Sequence, residues 1–288
     1  MAGTIHPGTA LGSVHLRVRD LARAVQFYTR GLGLVVLAEG PGSVLLGSGG
    51  RALLALEEAA GASRPGRTAG LYHLALLLPS RLQLARALDR LQRAHVPVSG
   101  FADHLVSEAI YLADPDGNGL ELYIDRDRSQ WPVMNGQVQM ATDPLDAQRL
   151  LEEAHPVSAW TGIEPGTDIG HVHLQVSDLG GAEAFYCGLL GFQVTQRSYP
   201  GALFVSVGGY HHHVGLNTWA SRGAPPPPAE AVGLEAFQVA IPEAAAFTRL
   251  KDRLAEVEQT IENPADKSFE ILDPDGIQIE IMDTSVVE

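Results

Sequence analysis

The sequence predicts an α+β fold made of four similar units, each of which reads as a strand, a helix and then three strands. The main observation is internal repetition, because segments of the first half return in the second half with the same order of apolar, polar and glycine residues. A repeat of this kind indicates a repeated structural unit. Three pairs of segments match in this way: residues 11–34 with 169–192, 70–79 with 233–242, and 112–123 with 271–282.

The first unit shows how the elements are assigned. Apolar and polar residues alternate from Val14 to Val18, which is the pattern of a strand with one buried face. Asp20 follows as a helix N-cap, and the helix is expected to run to about Tyr28 and to end at Gly31 and Gly33. Short segments rich in β-forming residues come next. The same reading places the four units at residues 11–58, 70–126, 168–220 and 232–284.

A chain of 288 residues is long enough for two domains. The predicted organisation is an N-terminal domain at residues 1–127, a linker at 128–167 and a C-terminal domain at 168–288. The linker contains a short helix near Leu145–Ala154, which Asp143 and Pro144 are expected to open. The sequence leaves open whether the units pair within each domain or across the domains, as 2 with 3 and 1 with 4.

Composition narrows the class of protein. There are 34 acidic and 20 basic side chains, and the resulting charge of −14 argues against binding to nucleic acid or to an anionic membrane. Cys187 is the single cysteine, so an internal disulfide is excluded and a reducing compartment is expected. Residues 1–12 lack the pattern of a signal peptide, and no apolar run reaches membrane-spanning length. We therefore expect a cytoplasmic protein, and a homo-oligomer stays open.

Candidate chemistry lies at a hairpin of the second unit. Leu105–Leu112 is predicted as one strand, Asp114–Gly119 as a turn rich in proline and glycine, and Leu120–Ile124 as the second strand. The hairpin carries Tyr111 on one strand and Glu121 on the other. An apolar strand has no structural use for an inward carboxylate unless a cation or a donor meets it. Glu121 therefore indicates a binding site.

His104, Tyr111, the turn at residues 114–117 and Glu121 together closely resemble the signature of extradiol ring-cleaving dioxygenases. In that family the glutamate binds iron, and the tyrosine and the upstream histidine line the substrate pocket. The paired βαβββ units likewise resemble the vicinal oxygen chelate superfamily, which includes glyoxalase I, antibiotic-resistance binding proteins and extradiol dioxygenases. This resemblance covers nearly the whole chain. It implies four βαβββ units that are paired into two domains around open cups.

In such a fold one face of each strand packs on the helices and the other lines the cup. Alternation places His15, His73 and His173 on the cup side of the first strand in three different units. This is the position at which the superfamily has metal-binding histidines. The fourth unit has Ala236 there.

Further side chains are expected to face the cup by the same count. A strand predicted at Tyr210–Thr218 carries His211, His213 and Asn217 to that side, and Tyr123 points the same way from the second unit. We expect His211, Tyr123 and Asn217 to contact the substrate.

Two pairs of units offer the two histidines and one carboxylate that suit a facial iron site. Units 1 and 2 offer His15, His73 and Glu121, whereas units 2 and 3 offer His173 in place of His15. Extradiol dioxygenases resemble one another in a further histidine on the last strand of the unit that supplies the first ligand, and unit 3 has one while unit 1 does not. The resemblance thus favours His73, Glu121 and His173 as ligands and His213 as the acid/base, with His15 as the alternative first ligand.

The implied function is an Fe(II)-dependent extradiol dioxygenase that opens the ring of a catechol or substituted catechol with O2, with Mn(II) as the alternative metal. His213 would hold a proton, and Tyr111 and His104 would orient the ring oxygens. Two other functions stay open. One is a metal-dependent isomerase or lyase of the glyoxalase I type, which usually has a second carboxylate where this site would have Asn217. The other is a non-enzymatic protein that binds an aromatic drug or metabolite.

Overall fold

The computed structural model describes residues 4–134, 136–154, 160 and 162–285. Parts of the predicted linker and the first and last three residues of the sequence lie outside these residues. Within them the chain forms two large β-sheets with helices packed on them, which is the α+β arrangement that the repeats predict.

The first half of the chain forms two units of four strands and one helix each. The first unit consists of β1 (Ala10–Val18), α1 (Leu21–Gln26, continued as a π-helix at Phe27–Gly31), β2 (Val35–Gly40), β3 (Ser43–Ser48) and β4 (Arg51–Glu58). The second consists of β5 (Gly70–Leu77), α2 (Arg81–Arg93), β6 (Val98–Asp103), β7 (Ser107–Ala113) and β8 (Gly119–Asp125).

The connecting segment contains short elements. In chain order they are a 3₁₀ turn (Arg128–Gln130), a hairpin of β9 (Val133–Met134) and β10 (Gln137–Val138), and helix α3 (Ala147–Glu153). The helix confirms the predicted element, but Asp146 rather than Asp143 caps it by accepting from the Arg149 amide. Asp143 lies four residues before the helix begins, and its backbone forms a bridge with Asp103.

The second half of the chain forms the other two units. The third consists of β11 (Asp168–Gln175), α4 (Leu179–Glu183, continued as a π-helix at Ala184–Leu189), β12 (Gln193–Gln196), β13 (Ala202–Ser206) and β14 (Val214–Asn217). The fourth consists of β15 (Gly233–Ile241), α5 (Ala244–Glu256), β16 (Ser268–Leu272) and β17 (Gln278–Asp283). In the described part of this unit, a single bridge between Glu262 and Glu270 stands where the second of the four predicted strands was expected.

Strand pairing joins units across the two halves of the sequence. One sheet runs β16-β17-β15-β1-β4-β3-β2 and combines units 1 and 4, and the other runs β12-β13-β14-β11-β5-β8-β7-β6 and combines units 2 and 3. The joints are two antiparallel pairs, β1 with β15 and β11 with β5. Each sheet thus takes strands from both predicted domains, whose boundaries stay a prediction.

Local sequence explains the first strand and helix of the repeated units. Val14, Leu16 and Val18 on β1 are fully buried in the core, as the alternation predicts. Asp20 accepts a hydrogen bond from the Arg23 amide (2.9 Å), and its repeat partner Asp178 caps α4 in the same way. None of the helices described is both long and apolar enough to cross a membrane.

Two repeated motifs tie the two sheets to each other. Tyr28, at the end of the first helix, donates to Asp114 in the turn before β8, and Tyr186 donates to Asp273 in the turn before β17 (3.0 Å each). Both aspartates also accept backbone amides of their own turns. Each bond joins a unit of one sheet to a unit of the other, so these buried pairs fix how the sheets are arranged.

We expect Asp273 to make folding stability depend on pH. Burial raises the pKa of Asp273 to about 6, although the hydrogen bonds that the carboxylate accepts oppose this shift. In the unfolded chain an aspartate has a pKa of about 4. The folded chain therefore holds the proton more tightly, and this group's stabilising contribution is lost as pH rises from about 4 to 6, by roughly 2–3 kcal/mol. Asp273→Asn has no such loss, so its free energy of unfolding should rise relative to wild type over this window. Equal pH profiles in urea titrations would contradict this account.

Candidate metal centre and substrate cavity

The candidate site is built on three neighbouring strands, β11, β5 and β8, in the middle of the eight-stranded sheet. Ala75 on β5 lies opposite His171 on β11 and also opposite Glu121 on β8. His73 stands two residues before Ala75, so its side chain lies on the same face of the sheet. The methyl group of Ala75 is small, and the longer side chains on either side of it converge above the strand.

The three side chains meet at their polar ends. Glu121 Oε2 lies 3.0 Å from His73 Nε2 and 3.2 Å from His171 Nε2, and the two nitrogens are 3.3 Å apart. All three residues are buried. Among the residues described, this is the one group of histidine, cysteine and carboxylate side chains whose arrangement could hold a metal ion. Two imidazole nitrogens and one carboxylate oxygen fit a divalent transition metal that keeps open positions.

Protonation at this group also suits a metal. Burial would raise the pKa of Glu121, but His171 and His73 hold it well below its usual range. Burial lowers the pKa of His171 to about 4, although Glu121 opposes that shift. At neutral pH the carboxylate is therefore ionised and His171 is neutral. Metals bind these charge states, the ionised carboxylate and the neutral imidazole.

His173 lies beside this group and is not a member of it, in contrast to the sequence-based prediction. It is the strand partner of His73, whereas Glu121 is in register with Ala75. Its ring packs against that of His73, with centroids 5.0 Å apart. His171 and His173 share one face of β11, two residues apart, so alternation along the strand gave no basis for choosing between them.

The equivalent place in the other sheet holds a different set of side chains. Ser13 and Ala236 stand where His171 and His73 stand in the first sheet, and Gln238 replaces Ala75 opposite Glu280. Gln238 accepts from the Ser13 amide (3.0 Å) and donates to Glu280 Oε2 (2.8 Å). A neutral amide thus occupies the position between the strands.

His15, the alternative first ligand, belongs to this second sheet. Its Nε2 contacts Ser13 Oγ at 3.1 Å. Since His73 and Glu121 lie in the other sheet, the structure does not bring His15 to the buried His-Glu-His group.

A cavity of about 250 Å³ opens above the His-Glu-His group. Aromatic and apolar side chains dominate its walls. The residues that line it are Tyr72, His73, His104, Val106, Ser107, Tyr111, Glu121, Met140, Thr142, His171, His173, Tyr199, Phe204, His212 and Trp219.

His104 and Tyr111 line this cavity together, as the hairpin signature predicts. His104 Nδ1 donates to the carbonyl of Ala141 (2.6 Å), so its Nε2 is free to accept from the hydroxyl of Tyr111 (2.6 Å). Burial and then the charge of Glu121 raise the pKa of Tyr111 well above its usual value. Tyr111 is therefore a neutral phenol whose orientation is fixed by His104.

His212, and not the predicted His213, faces the cavity. Its ring packs against that of His171, with centroids 4.1 Å apart. His213 instead contacts Ser206 Oγ through Nδ1 (2.7 Å), and burial lowers its pKa to about 3. The prediction assumed a strand from Tyr210, but β14 begins only at Val214, and the turn before it breaks the alternation of side chains.

The three residues predicted to contact the substrate are buried outside the cavity lining. The hydroxyl groups of Tyr123 and Tyr210 form a hydrogen bond with each other (2.7 Å). His211 is fully buried and contacts Asp125 and His212. Asn217 accepts from the backbone amide of Trp219 (3.2 Å). Alternation predicted the face of the sheet on which Tyr123 and Asn217 lie. Both side chains are fully buried and are not part of the cavity wall.

Aromatic side chains at the cavity mouth include one that the sequence did not suggest. Tyr72 and Trp219 meet edge to face, with centroids 5.4 Å apart, and both are about half exposed. His173 packs on each of them. Tyr72 directly precedes His73, so alternation assigns it to the opposite face, but its ring packs on those of His73 and His173 and lines the cavity.

We expect Glu121→Gln and His171→Asn to abolish tight metal binding. The first removes the charged oxygen and the second removes one of the two nitrogens at the His-Glu-His group. Metal content measured after anaerobic reconstitution with Fe(II) and gel filtration should fall from about one ion per chain to background.

The second sheet supplies a matched control for this experiment. Glu280→Gln alters the equivalent carboxylate, which already has Gln238 as its partner, and should leave metal content unchanged. The assignment is wrong if His173→Asn loses the metal while His171→Asn retains it.

Comparison with known proteins adds two findings. The family profile described as Glyoxalase/Bleomycin resistance protein/Dioxygenase superfamily matches residues 10–122 and 168–281. The chain is also 44% identical over 277 residues to a catechol-2,3-dioxygenase of Bacillus subtilis, and the match covers 94% of this chain and 96% of that protein.

Solved structures agree with the fold. A candidate dioxygenase from Bacillus subtilis superposes with a TM-score of 0.65 at 14% identity, covering 99% of this chain and 86% of that one. Glyoxalase I from Zea mays superposes with a TM-score of 0.58 at 16% identity, covering 96% and 93%. At these identities the two structures support the architecture alone.

Proposed function

Because the chain belongs to the glyoxalase/bleomycin resistance protein/dioxygenase superfamily, we propose that it is an extradiol dioxygenase, which opens a catechol ring beside one of its hydroxyl groups. The observation that carries this proposal is the buried group of His73, His171 and Glu121 at the base of an aromatic cavity. The similarity to the Bacillus subtilis catechol-2,3-dioxygenase supports it.

We propose Fe(II) as the metal, with Mn(II) as the alternative. His73 and His171 would hold it through Nε2 and Glu121 through Oε2. When bound, the metal supplies open positions for both catechol oxygens and for O2, so that electrons of the ring can reach oxygen.

Residues of the cavity would bind and orient the ring. His173, Phe204 and Trp219 offer aromatic surfaces on one side. The hydroxyl of Tyr111 donates to His104, and its oxygen can accept a hydrogen bond from a catechol hydroxyl, which narrows the orientations that the ring can adopt. Tyr72 and Trp219 at the mouth would limit the access of water.

His212 is the residue that we propose as the proton acceptor. The ring of His212 lies against that of His171. A catechol held at the His-Glu-His group would therefore lie next to His212. Burial lowers the pKa of His212 well below the usual value, so the imidazole is neutral and has a lone pair that can accept a hydrogen bond from a catechol hydroxyl. The predicted residue, His213, cannot do this from its position against Ser206.

The cavity offers little support for the two other functions. Among its described lining residues Glu121 is the single carboxylate, whereas a glyoxalase-type site would need a second one. A drug-binding protein would need no buried pair of histidines around a carboxylate, since burying such polar groups costs free energy.

The lining also suggests which catechols are accepted. Of the cavity residues described, none is lysine or arginine. A carboxylate substituent on the ring would therefore lose its hydration in the cavity and find no cationic side chain there, which is unfavourable. A methyl substituent would instead pack on the apolar walls. We propose that the substrates are uncharged catechols.

The experiment compares two substrates that differ at a single ring position. With the Fe(II)-loaded protein, 4-methylcatechol should be turned over with a kcat/KM at least about tenfold above that of 3,4-dihydroxybenzoate, because the charge of the latter is buried without a partner. Oxygen uptake measures the rate. A yellow, conjugated semialdehyde product identifies cleavage beside the hydroxyls.

The possible results separate the two parts of this proposal. No oxygen uptake with any catechol would overturn the dioxygenase assignment. A colourless muconate would show cleavage between the hydroxyls and would contradict the extradiol assignment. Yellow product at equal efficiency from both substrates would retain the activity and overturn the preference for uncharged rings.

A further inference from the structure

Three side chains form a hydrogen-bonded row that leads from behind the cavity to its wall. Asp125 Oδ1 lies 2.8 Å from His211 Nε2, and His211 Nδ1 lies 2.7 Å from His212 Nδ1. His211 is 0% exposed and His212 is 8% exposed. Asp125 is the last residue of β8, four residues after Glu121, and the two histidines precede β14.

The carboxylate at one end fixes the direction of these hydrogen bonds. An ionised carboxylate only accepts, so His211 must donate from Nε2. With His211 in its neutral form, which is a premise of the proposal, its single N–H is used on Asp125 and Nδ1 is left as an acceptor. His212 must then donate from Nδ1, and its own Nε2 carries the free lone pair. Each step follows from the previous one because no atom in the row can both donate and accept.

Asp125 also accepts a hydrogen bond from a tyrosine, which is itself bonded to a second tyrosine. The hydroxyl of Tyr210 donates to the same Oδ1 atom (3.2 Å) and lies 2.7 Å from the hydroxyl of Tyr123. Burial raises the pKa of both phenols well above the usual value, so both remain donors at neutral pH. Asp125 therefore receives two hydrogen bonds.

We propose that Asp125 and His211 are positioning residues, which fix the Nδ1–H tautomer of His212 and thereby aim a bare Nε2 nitrogen into the cavity. This inference rests on the proposed function, in which His212 accepts a proton from a catechol hydroxyl. The tautomer matters because the hydroxyl must donate to the imidazole. With the proton on Nε2, two donors would face each other and no transfer could start.

The tautomer can be read without any turnover. In the full-length protein labelled with ¹⁵N-histidine and kept metal-free, long-range ¹H–¹⁵N spectra distinguish a protonated ring nitrogen from a bare one. His212, assigned with His212→Gln, should have its proton on Nδ1 and His211 on Nε2. The opposite forms in the wild type would overturn the proposal.

Asp125→Asn is the near-isosteric test variant. Its amide can donate as well as accept, so the direction of the row is no longer fixed, and the Nδ1–H form of His212 should be lost or mixed. We expect kcat with 4-methylcatechol to fall by about 10- to 100-fold, the range found when a supporting hydrogen-bond partner is removed. KM and metal content should stay close to those of the wild type, because none of the metal-binding group is altered.

Two substitutions at His211 test the same proposal if Asp125→Asn folds poorly. His211→Phe removes both ring nitrogens, whereas His211→Asn retains an acceptor oxygen near the position of Nδ1. The Asn variant should preserve the His212 tautomer and most of kcat, and the Phe variant should lose both. A purely structural role for His211 would instead give equal losses in the two variants.

His213→Asn serves as the control within the same run of histidines, because His213 bonds to Ser206 rather than to this row. It should leave kcat and the tautomer of His212 unchanged. If Asp125→Asn and His211→Phe turn over 4-methylcatechol as fast as this control, the positioning role is refuted. If the wild type itself is inactive with every catechol, the proposed function fails, while the tautomer measurement still decides the proposal on the row.

Discussion

The register of three strands is the constraint on which the site depends. β11 and β8 flank β5, and both place their polar residue, His171 or Glu121, opposite Ala75. His73 then needs only to stand two residues away on the same face. A shift of one residue in either pairing would turn one of these side chains to the core side. The hydrogen bonds from Tyr28 and Tyr186 to the turn aspartates join this sheet to the second one.

The second sheet shows how little separates a metal centre from an ordinary polar core. Its strands have the same order and the same glutamate position, yet Gln238 stands where the first sheet has Ala75. The longer amide fills the space above the strand and bonds to Glu280, so that carboxylate already has a partner. In the first sheet, by contrast, the small residue leaves the carboxylate facing two imidazoles. Gln238 in place of Ala75, together with Ser13 and Ala236 in place of the two histidines, therefore leaves the second sheet without the ligand set of the first.

The sequence predicted the fold and part of the site for physical reasons that also explain its failures. Repetition located all four units. Alternation assigned His73 and Glu121 to the face that lines the cavity, and the hairpin signature assigned Tyr111 to it. Alternation could not separate His171 from His173, which share a face, since the choice depends on register with β5. It misplaced His213 because the residues before Val214 form a turn, where side chains do not alternate. Pairing of units across the two halves of the chain is likewise a long-range property, which local patterns leave open.

Anomalous diffraction from crystals of the protein loaded with Fe(II) would test the central assignment most directly. Data collected on both sides of the iron absorption edge locate the metal without reference to activity. The account predicts one strong peak per chain, within bonding distance of His73 Nε2, His171 Nε2 and Glu121 Oε2, and none between Ser13 and Glu280. A peak bound by His173 in place of His171, or a peak in the second sheet, would contradict it.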